Sequence, residues 1–325
     1  MSRLEVAVVV SLRNSGRYLT GEELGRLCGA SPGKVRAAVL DLVKRGYGID
    51  EVPGEGFRLR ETASTLDGAD IRASLSTKIL GSEIFAFGRI GSTNDVATAL
   101  ARGGAPDGSI VIAEEQTRGR GRLGRRWHSP PSAGLWFSLI LRPDLSAEAS
   151  TTLSLAAALG VATALSERYG IPARIKWPND VLVHGRKICG ILTEAEFLGD
   201  ALSFVVVGIG INVLGSEADF PPEIRETATS VRMEAGDGIG RGDVLAAVVG
   251  SMEDRYMKLQ KLGFAGLKGE LLGRSSLVGR MVRVHTGSGL IEGMAVDIDD
   301  RGALLLRNED GALQRILAGD AVGVG

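Results

Sequence analysis

Gly119-Arg120-Gly121-Arg122-Leu123-Gly124-Arg125-Arg126-Trp127 places four arginines and three glycines in one short loop of a chain whose formal net charge is −1. So much positive charge on a pliable segment is costly to hold together unless a polyanion neutralises it. The run before it, Gly108-Ser109-Ile110-Val111-Ile112-Ala113-Glu114-Glu115-Gln116, reads as a buried strand with a polar end. The loop therefore stands at a strand terminus, where α/β proteins place ligands. It also satisfies G-x-G-x-x-G, the fingerprint of a dinucleotide-binding turn. That turn has to open a helix, and Trp127-His128-Ser129-Pro130-Pro131 blocks one. A Rossmann turn is excluded, and an anion-binding loop remains.

Around this loop, residues 73–275 mix strand patterns (85–90, 110–113, 135–141, 188–194, 204–211) with helix patterns near 93–102, 150–169 and 242–262. The mixture predicts an α/β or α+β domain. The helix over 150–169 is apolar nearly all round and is expected to be buried. Upstream, residues 1–62 open with an amphipathic pattern at Leu4, Val8 and Leu12. Thr20 with Glu23 then forms a capping box, and Ser31-Pro32 opens a second helix, a helix-turn-helix pattern. Ile49–Leu59 follows as a two-stranded wing about Pro53-Gly54. The small, polar residues 63–72 read as a linker. From residue 277 to 325, short alternating runs separated by Asp299-Asp300-Arg301-Gly302 and Asn308-Glu309-Asp310-Gly311 predict a small antiparallel β-barrel, which we expect to be SH3-like. The fold class is thus α+β multidomain, with an N-terminal winged helix-turn-helix and a central mixed α/β domain.

Composition narrows the chemistry. With 44% apolar residues over 325, the chain can fill several cores. Its two cysteines, Cys28 and Cys189, and three histidines, His128, His184 and His285, are scattered, which disfavours disulfides, zinc and a Ser-His-Asp triad. No apolar run reaches membrane-spanning length, and the N-terminus lacks a secretory pattern, so a cytoplasmic protein is expected. Residues 1–62 carry ten Lys/Arg against eight Asp/Glu, a weak footprint for nucleic acid. The charge is local instead: Lys34 and Arg36, just after Ser31, make the start of the second helix the candidate DNA-binding surface.

Three further clusters join the loop as candidates. Lys176-Trp177-Pro178-Asn179-Asp180 combines a cation, an amide and a carboxylate on a chain stiffened by proline, although a turn with a strand-end salt bridge would read the same way. Gly91-Ser92-Thr93-Asn94-Asp95 opens a helix whose unpaired N–H groups suit an anionic or polar ligand, or serves simply as an N-cap. Val207-Gly208-Ile209-Gly210-Ile211-Asn212 is a buried strand with room for close approach and one amide that needs partners, in the protein or on a ligand.

Taken together, the loop, the 176–180 pentad, Arg186-Lys187 with Gly190-Ile191, and Gly210-Ile211-Asn212 resemble the biotin protein ligases. The N-terminal module with Val52-Pro53-Gly54-Glu55-Gly56-Phe57 and the C-terminal Gly302-Ala303-Leu304-Leu305-Leu306 are similar to the bifunctional kind, which is also the biotin operon repressor. The resemblance implies an ATP-dependent enzyme that makes biotinyl-5′-AMP and passes the biotinyl group to a lysine of a biotin carboxyl carrier protein domain. It implies biotin contacts at Ser92, Thr93, Asn94, Gln116, Gly119, Arg120, Gly121, Arg122, Lys187 and Gly190, the last leaving space for the bicyclic ring. For ATP and the adenylate it implies Arg122, Arg125, Trp127, Lys176, Asn179 and Asn212, with Trp127 as core and Asn212 as a strand-end bond still open. Lys187, Arg120, Arg122 and Asp180 would be catalytic, and Asp180 would contact Mg2+ carried on ATP. Partners implied are the carrier domain, operator DNA through Ser31, Lys34 and Arg36, and a second copy in a homodimer promoted by the adenylate. The loop glycines suit a segment that orders over its ligand. Lipoate ligase, which shares the acyl-adenylate strategy, and a ligand-sensing repressor without catalysis are the rival readings.

Overall fold

The computed structural model describes residues 3–44, 47–59, 66, 68–145, 152–199, 201–287 and 289–323. Three helices open the chain, α1 (Arg3–Ser15), α2 (Gly21–Cys28) and α3 (Pro32–Lys44), followed by the antiparallel pair β1 (Ile49–Val52) and β2 (Gly56–Leu59). The capping box forms as expected: the Glu23 amide donates to Thr20 Oγ1 at 3.2 Å and the Thr20 amide to Glu23 Oε2 at 2.8 Å. Gly29 ends α2 with φ of 63°, which lets the chain turn directly into α3. Leu12, Leu24, Val35 and Leu42 close the core of this unit.

Of the expected linker over 63–72, residues 63–65 and 67 lie outside the described residues, and the remainder is not a linker in form. Leu66 is buried, and α4 (Gly68–Ser74) begins two residues later. Small side chains had masked a helical spacing: Ile71 and Leu75, one turn apart, are both buried in the central core.

The central domain is a seven-stranded sheet in the order β3-β4-β5-β9-β8-β7-β6. β3 (Ile84–Ile90) and β4 (Ser109–Gln116) are parallel and joined through α5 (Thr93–Arg102). Every other pairing is antiparallel, through β5 (Gly134–Leu141), β6 (Arg174–Lys176), β7 (Asp180–Val183), β8 (Arg186–Leu198) and β9 (Ala201–Asn212). One face packs on α6 (Thr152–Tyr169), which is buried along most of its length as its composition demanded. Residues 150 and 151 of the expected helix lie outside the described residues. A short helix, α7 (Val231–Ala235), precedes α8 (Arg241–Leu262) and α9 (Ala265–Arg274), and these last two complete that layer. The opposite face carries α5, and its apolar residues run unbroken into the core of the N-terminal helices.

Alternation along the strands assigns each residue to a face. On β9, Val205, Val207, Ile209 and Ile211 belong to the α6 core, whereas Val206 points toward α5 and is followed on the same face by Gly208, Gly210 and Asn212. Beyond α9, five antiparallel strands, β10 (Met281–Thr286), β11 (Gly289–Ile298), β12 (Leu304–Arg307), β13 (Leu313–Ile316) and β14 (Asp320–Gly323), form a second sheet in the order β13-β12-β11-β10-β14. Val282, Val284, Leu304 and Leu306 share the core of the central domain, so this sheet is packed on the domain. No helix among the described residues is long and apolar enough to cross a membrane.

Candidate functional site

Where the α5 face of the sheet loses its side chains, a trough opens. Gly190 of β8 is paired directly with Gly210 of β9, and Gly208 follows on the same face opposite Leu192, so three positions of the two strands carry no side chain there. Trp127, at the end of the charged loop, covers this floor. A methyl at Gly210 would overlap its Nε1, and one at Gly190 would come within 2.9 Å of its ring and 3.1 Å of Lys187 Cε. The space beside Gly190, expected to take a bicyclic ligand ring, is therefore filled by Trp127 and Lys187. Trp127 also meets Trp136 edge-on, with centroids 6.3 Å apart. Its indole N–H is buried without a hydrogen-bond acceptor among the described residues, an imbalance that a ligand can correct.

One end of the trough is a buried polar lattice built on the start of α5. Ser92, Thr93 and Asn94 are each 3% exposed. The Thr93 amide and hydroxyl donate to Gln116 Oε1 at 2.8 and 3.0 Å, and Gln116 Nε2 donates to Ser129 Oγ at 3.0 Å. Ser138, in the middle of β5, donates to Asn94 Oδ1 at 2.7 Å and lies 2.8 Å from Thr93 Oγ1. Ser92 lines the trough, and its hydroxyl makes no capping bond to its own helix. Such a lattice is suited to a small neutral group with both donors and acceptors.

The other end is cationic. Arg122 Nη1 donates to Asn179 Oδ1 at 3.0 Å, which joins the loop to the pentad across 57 residues of sequence. Burial pushes the Arg122 guanidinium below its ordinary pKa, while Asp180 and Asp320 pull the other way, so the charge is held where an anion would bind it strongly. Lys187 Nζ lies 2.6 Å from Asp180 Oδ1 and 5.3 Å from the Trp127 ring centre. Asn179 donates from Nδ2 to the Ile191 carbonyl at 2.7 Å, fixing its face toward the cavity. Arg125 and Lys176 converge on Asp320 of β14, at 2.6 and 3.3 Å. Burial favours the neutral form of Asp320, yet the hydrogen bond from Arg125 and the charge of Lys176 outweigh it and hold the carboxyl below its ordinary value.

The loop and the pentad thus share one cavity of about 270 Å³. The start of α5, Gln116, Gly121, Gly190 and Asn212 also line it. Two expected members stand behind the wall. Gly119 is packed against the Trp127 carbonyl and Ser129, and Lys176 faces Asp320. Asn212 spends its Nδ2 on the Thr229 carbonyl at 3.0 Å, the strand-end bond left open by the sequence. Away from the cavity, Ser31, Lys34 and Arg36 are exposed at the start of α3, and Arg36 pairs with Glu51 of β1 at 3.0 Å.

Sequence reasoning passed over three carboxylates and a strap. Asp320 sits in a weak alternating run with no motif around it. Glu194 and Asp95, which lie 3.1 and 2.9 Å from Arg120 Nη2, read as ordinary charged positions. The strap containing Phe220, Ile224 and Thr227 closes one side of the cavity without regular secondary structure, and so without a period to read.

Comparison with known proteins identifies relatives over most of the chain. The profile of the biotin/lipoate A/B protein ligase family matches residues 86–212, and that of the biotin protein ligase C-terminal domain matches 277–322. The bifunctional ligase/repressor BirA of Bacillus subtilis is 37% identical over 305 residues, 93% of each chain. The biotin–[acetyl-CoA-carboxylase] ligase of Paracoccus denitrificans is 37% identical over 226 residues, 69% of this chain and 93% of that one. Among solved structures, biotin protein ligase from Aquifex aeolicus in complex with biotin and ATP is 32% identical, with a TM-score of 0.64 over 74% of this chain and 98% of that chain.

Proposed function

The chain belongs to the biotin protein ligase family, and from that membership we propose that it activates biotin with ATP and transfers it to a lysine of a biotin carboxyl carrier protein domain. The observation that carries the reading is the meeting of Arg122 with Asn179, which brings the arginine-rich loop and the lysine-bearing pentad onto one trough. In the first step a biotin carboxylate oxygen attacks the α-phosphorus of ATP and pyrophosphate leaves. In the second the carrier lysine attacks the acyl carbon of biotinyl-5′-AMP and AMP leaves.

Each part of the trough has a task in that chemistry. Thr93, Gln116 and Ser92 offer the mixed donors and acceptors that a ureido ring requires. Lys187 and Arg122 stand where negative charge grows on the phosphate oxygens, and preorganised cations are the main stabiliser of such a transition state. Arg125, Trp127 and Asn179 would hold the nucleotide, and the loop would shield the mixed anhydride from water. For Mg2+, the described residues offer no group of three metal-binding side chains, so a protein-built cage does not fit, whereas one carboxylate beside bound phosphates does. Asp180 is that carboxylate, and the ion would neutralise charge on the leaving pyrophosphate.

The N-terminal unit supports a second role. We read α1–α3 with β1–β2 as a winged helix-turn-helix, residues 281–323 as an SH3-like barrel, and the domains as 1–62, a central one that takes in α4 and runs to 275, and 277–325. Ser31 and Lys34 at the exposed start of α3 would contact operator DNA, in a cytoplasmic homodimer favoured by the adenylate. Incubation with biotin, Mg-ATP and a carrier domain should give an avidin-reactive product. A product with lipoate instead of biotin would overturn the substrate assignment. A gel shift with DNA from upstream of biotin-synthesis genes, strengthened by biotin and ATP, tests the regulatory role. Retained ligase activity with no shift would leave the protein an enzyme only.

A further inference from the structure

Arg120 is held differently from the loop cations that face the trough. Its Nη2 lies 2.9 Å from Asp95 Oδ1 and 3.1 Å from Glu194 Oε1, so two carboxylates from separate elements, α5 and β8, share one guanidinium nitrogen. Glu194 is itself held in place. Asn94 Nδ2 donates to Glu194 Oε2 at 2.7 Å, and Asn94 is anchored through its Oδ1 by Ser138 at the centre of the sheet. Gly208 completes the anchor, because a methyl there would overlap Asn94 Oδ1. An unbroken polar line therefore runs from Ser138 through Asn94 and Glu194 to Arg120 at the root of the loop.

We infer that Asp95 and Glu194 are positioning residues that use Arg120 as a strut to seat the 119–127 loop over the trough. Arg120, on this account, does not supply charge to the reacting phosphate. The electrostatics favour this division: a phosphate brought to Arg120 would stand beside two carboxylates in direct contact with that guanidinium, whereas Arg122 donates to the neutral amide of Asn179 and feels Asp180 and Asp320 only through space. The strut fixes the hinge end of the loop and leaves its tip, with Arg122 and Arg125, to respond to the ligand. The inference rests on the ligase reading only for the identity of the ligand.

The test has one arm without catalysis and one with it. Amide hydrogen exchange is measured across residues 119–127 and β9 in wild type, D95N/E194Q, R120Q and R120K. Exchange in the loop should rise about tenfold in D95N/E194Q and in R120Q while β9 is unchanged, with R120K restoring part of the protection. E194Q keeps an acceptor for Asn94, so the lattice beneath survives the change. In ATP–pyrophosphate exchange, the same variants should raise the KM for biotin about tenfold and leave kcat within about threefold, because fewer molecules hold the closed loop. Combining R120Q with D95N/E194Q should add no further loss. Unchanged loop exchange in D95N/E194Q, or a collapse of kcat with KM intact in R120Q, would overturn the strut. An inactive wild type would count against the ligase reading alone, since the exchange arm would still decide the strut.

Discussion

Leu123 occupies the left-handed region, with φ of 56°, and its side chain is 75% exposed. A leucine gains nothing from that exposure and carries the steric cost of the conformation, roughly 1 kcal/mol, which asparagine largely escapes. Leu123→Asn should therefore raise stability in urea unfolding by up to about 1 kcal/mol. Arg122 is the opposite kind of residue, half-buried and bonded to Asn179. Arg122→Gly should shorten retention of the acyl-adenylate by about tenfold or more, since a charge-assisted bond contributes about 1.5–3 kcal/mol. The readout is avidin-reactive labelling of a bystander protein present in the same tube. Confinement of label to the carrier domain in that variant would remove Arg122 from the adenylate site.

Strands β8 and β9 show how far alternation alone reaches. The even positions of Val207–Asn212 are visibly glycine, glycine and asparagine in the sequence, and a flat patch on one sheet face follows directly. What fills that patch was not legible, because the pairing of Gly190 with Gly210 and the position of Trp127 depend on contacts between distant segments. The linker failed for a related reason: composition reports solvation, whereas α4 is stabilised by burying Ile71 against a core that the segment itself does not reveal. Gly210→Ala is the direct test of the patch. The added methyl should displace Trp127 and lower ligase activity at least about tenfold. Circular dichroism should be nearly unchanged, since the strand keeps both neighbours.

At the scale of the molecule, Asp320 ties the C-terminal sheet to both the loop and the pentad. Its depressed pKa fixes the sign of the pH effect. The stabilisation is complete above the unfolded value near 3.9 and is lost as pH falls through the lower folded value. The stability difference between wild type and Asp320→Asn should accordingly be full above about pH 5 and shrink steadily as the pH falls below the ordinary carboxylate range. A difference that persisted at low pH would mean packing, not charge, joins the sheet to the site. The arginine loop and the pentad were legible in the sequence because both are locally dense in charge; Asp320 was not, because a lone carboxylate acquires meaning only from what lies across from it. Trp127, finally, makes the protein its own optical probe. An indole seated on two glycines, beside an ammonium group and a second indole, should change its emission when a ligand enters the trough and alters those surroundings. Vitamin and nucleotide occupancy can thus be followed by intrinsic fluorescence, with no label attached.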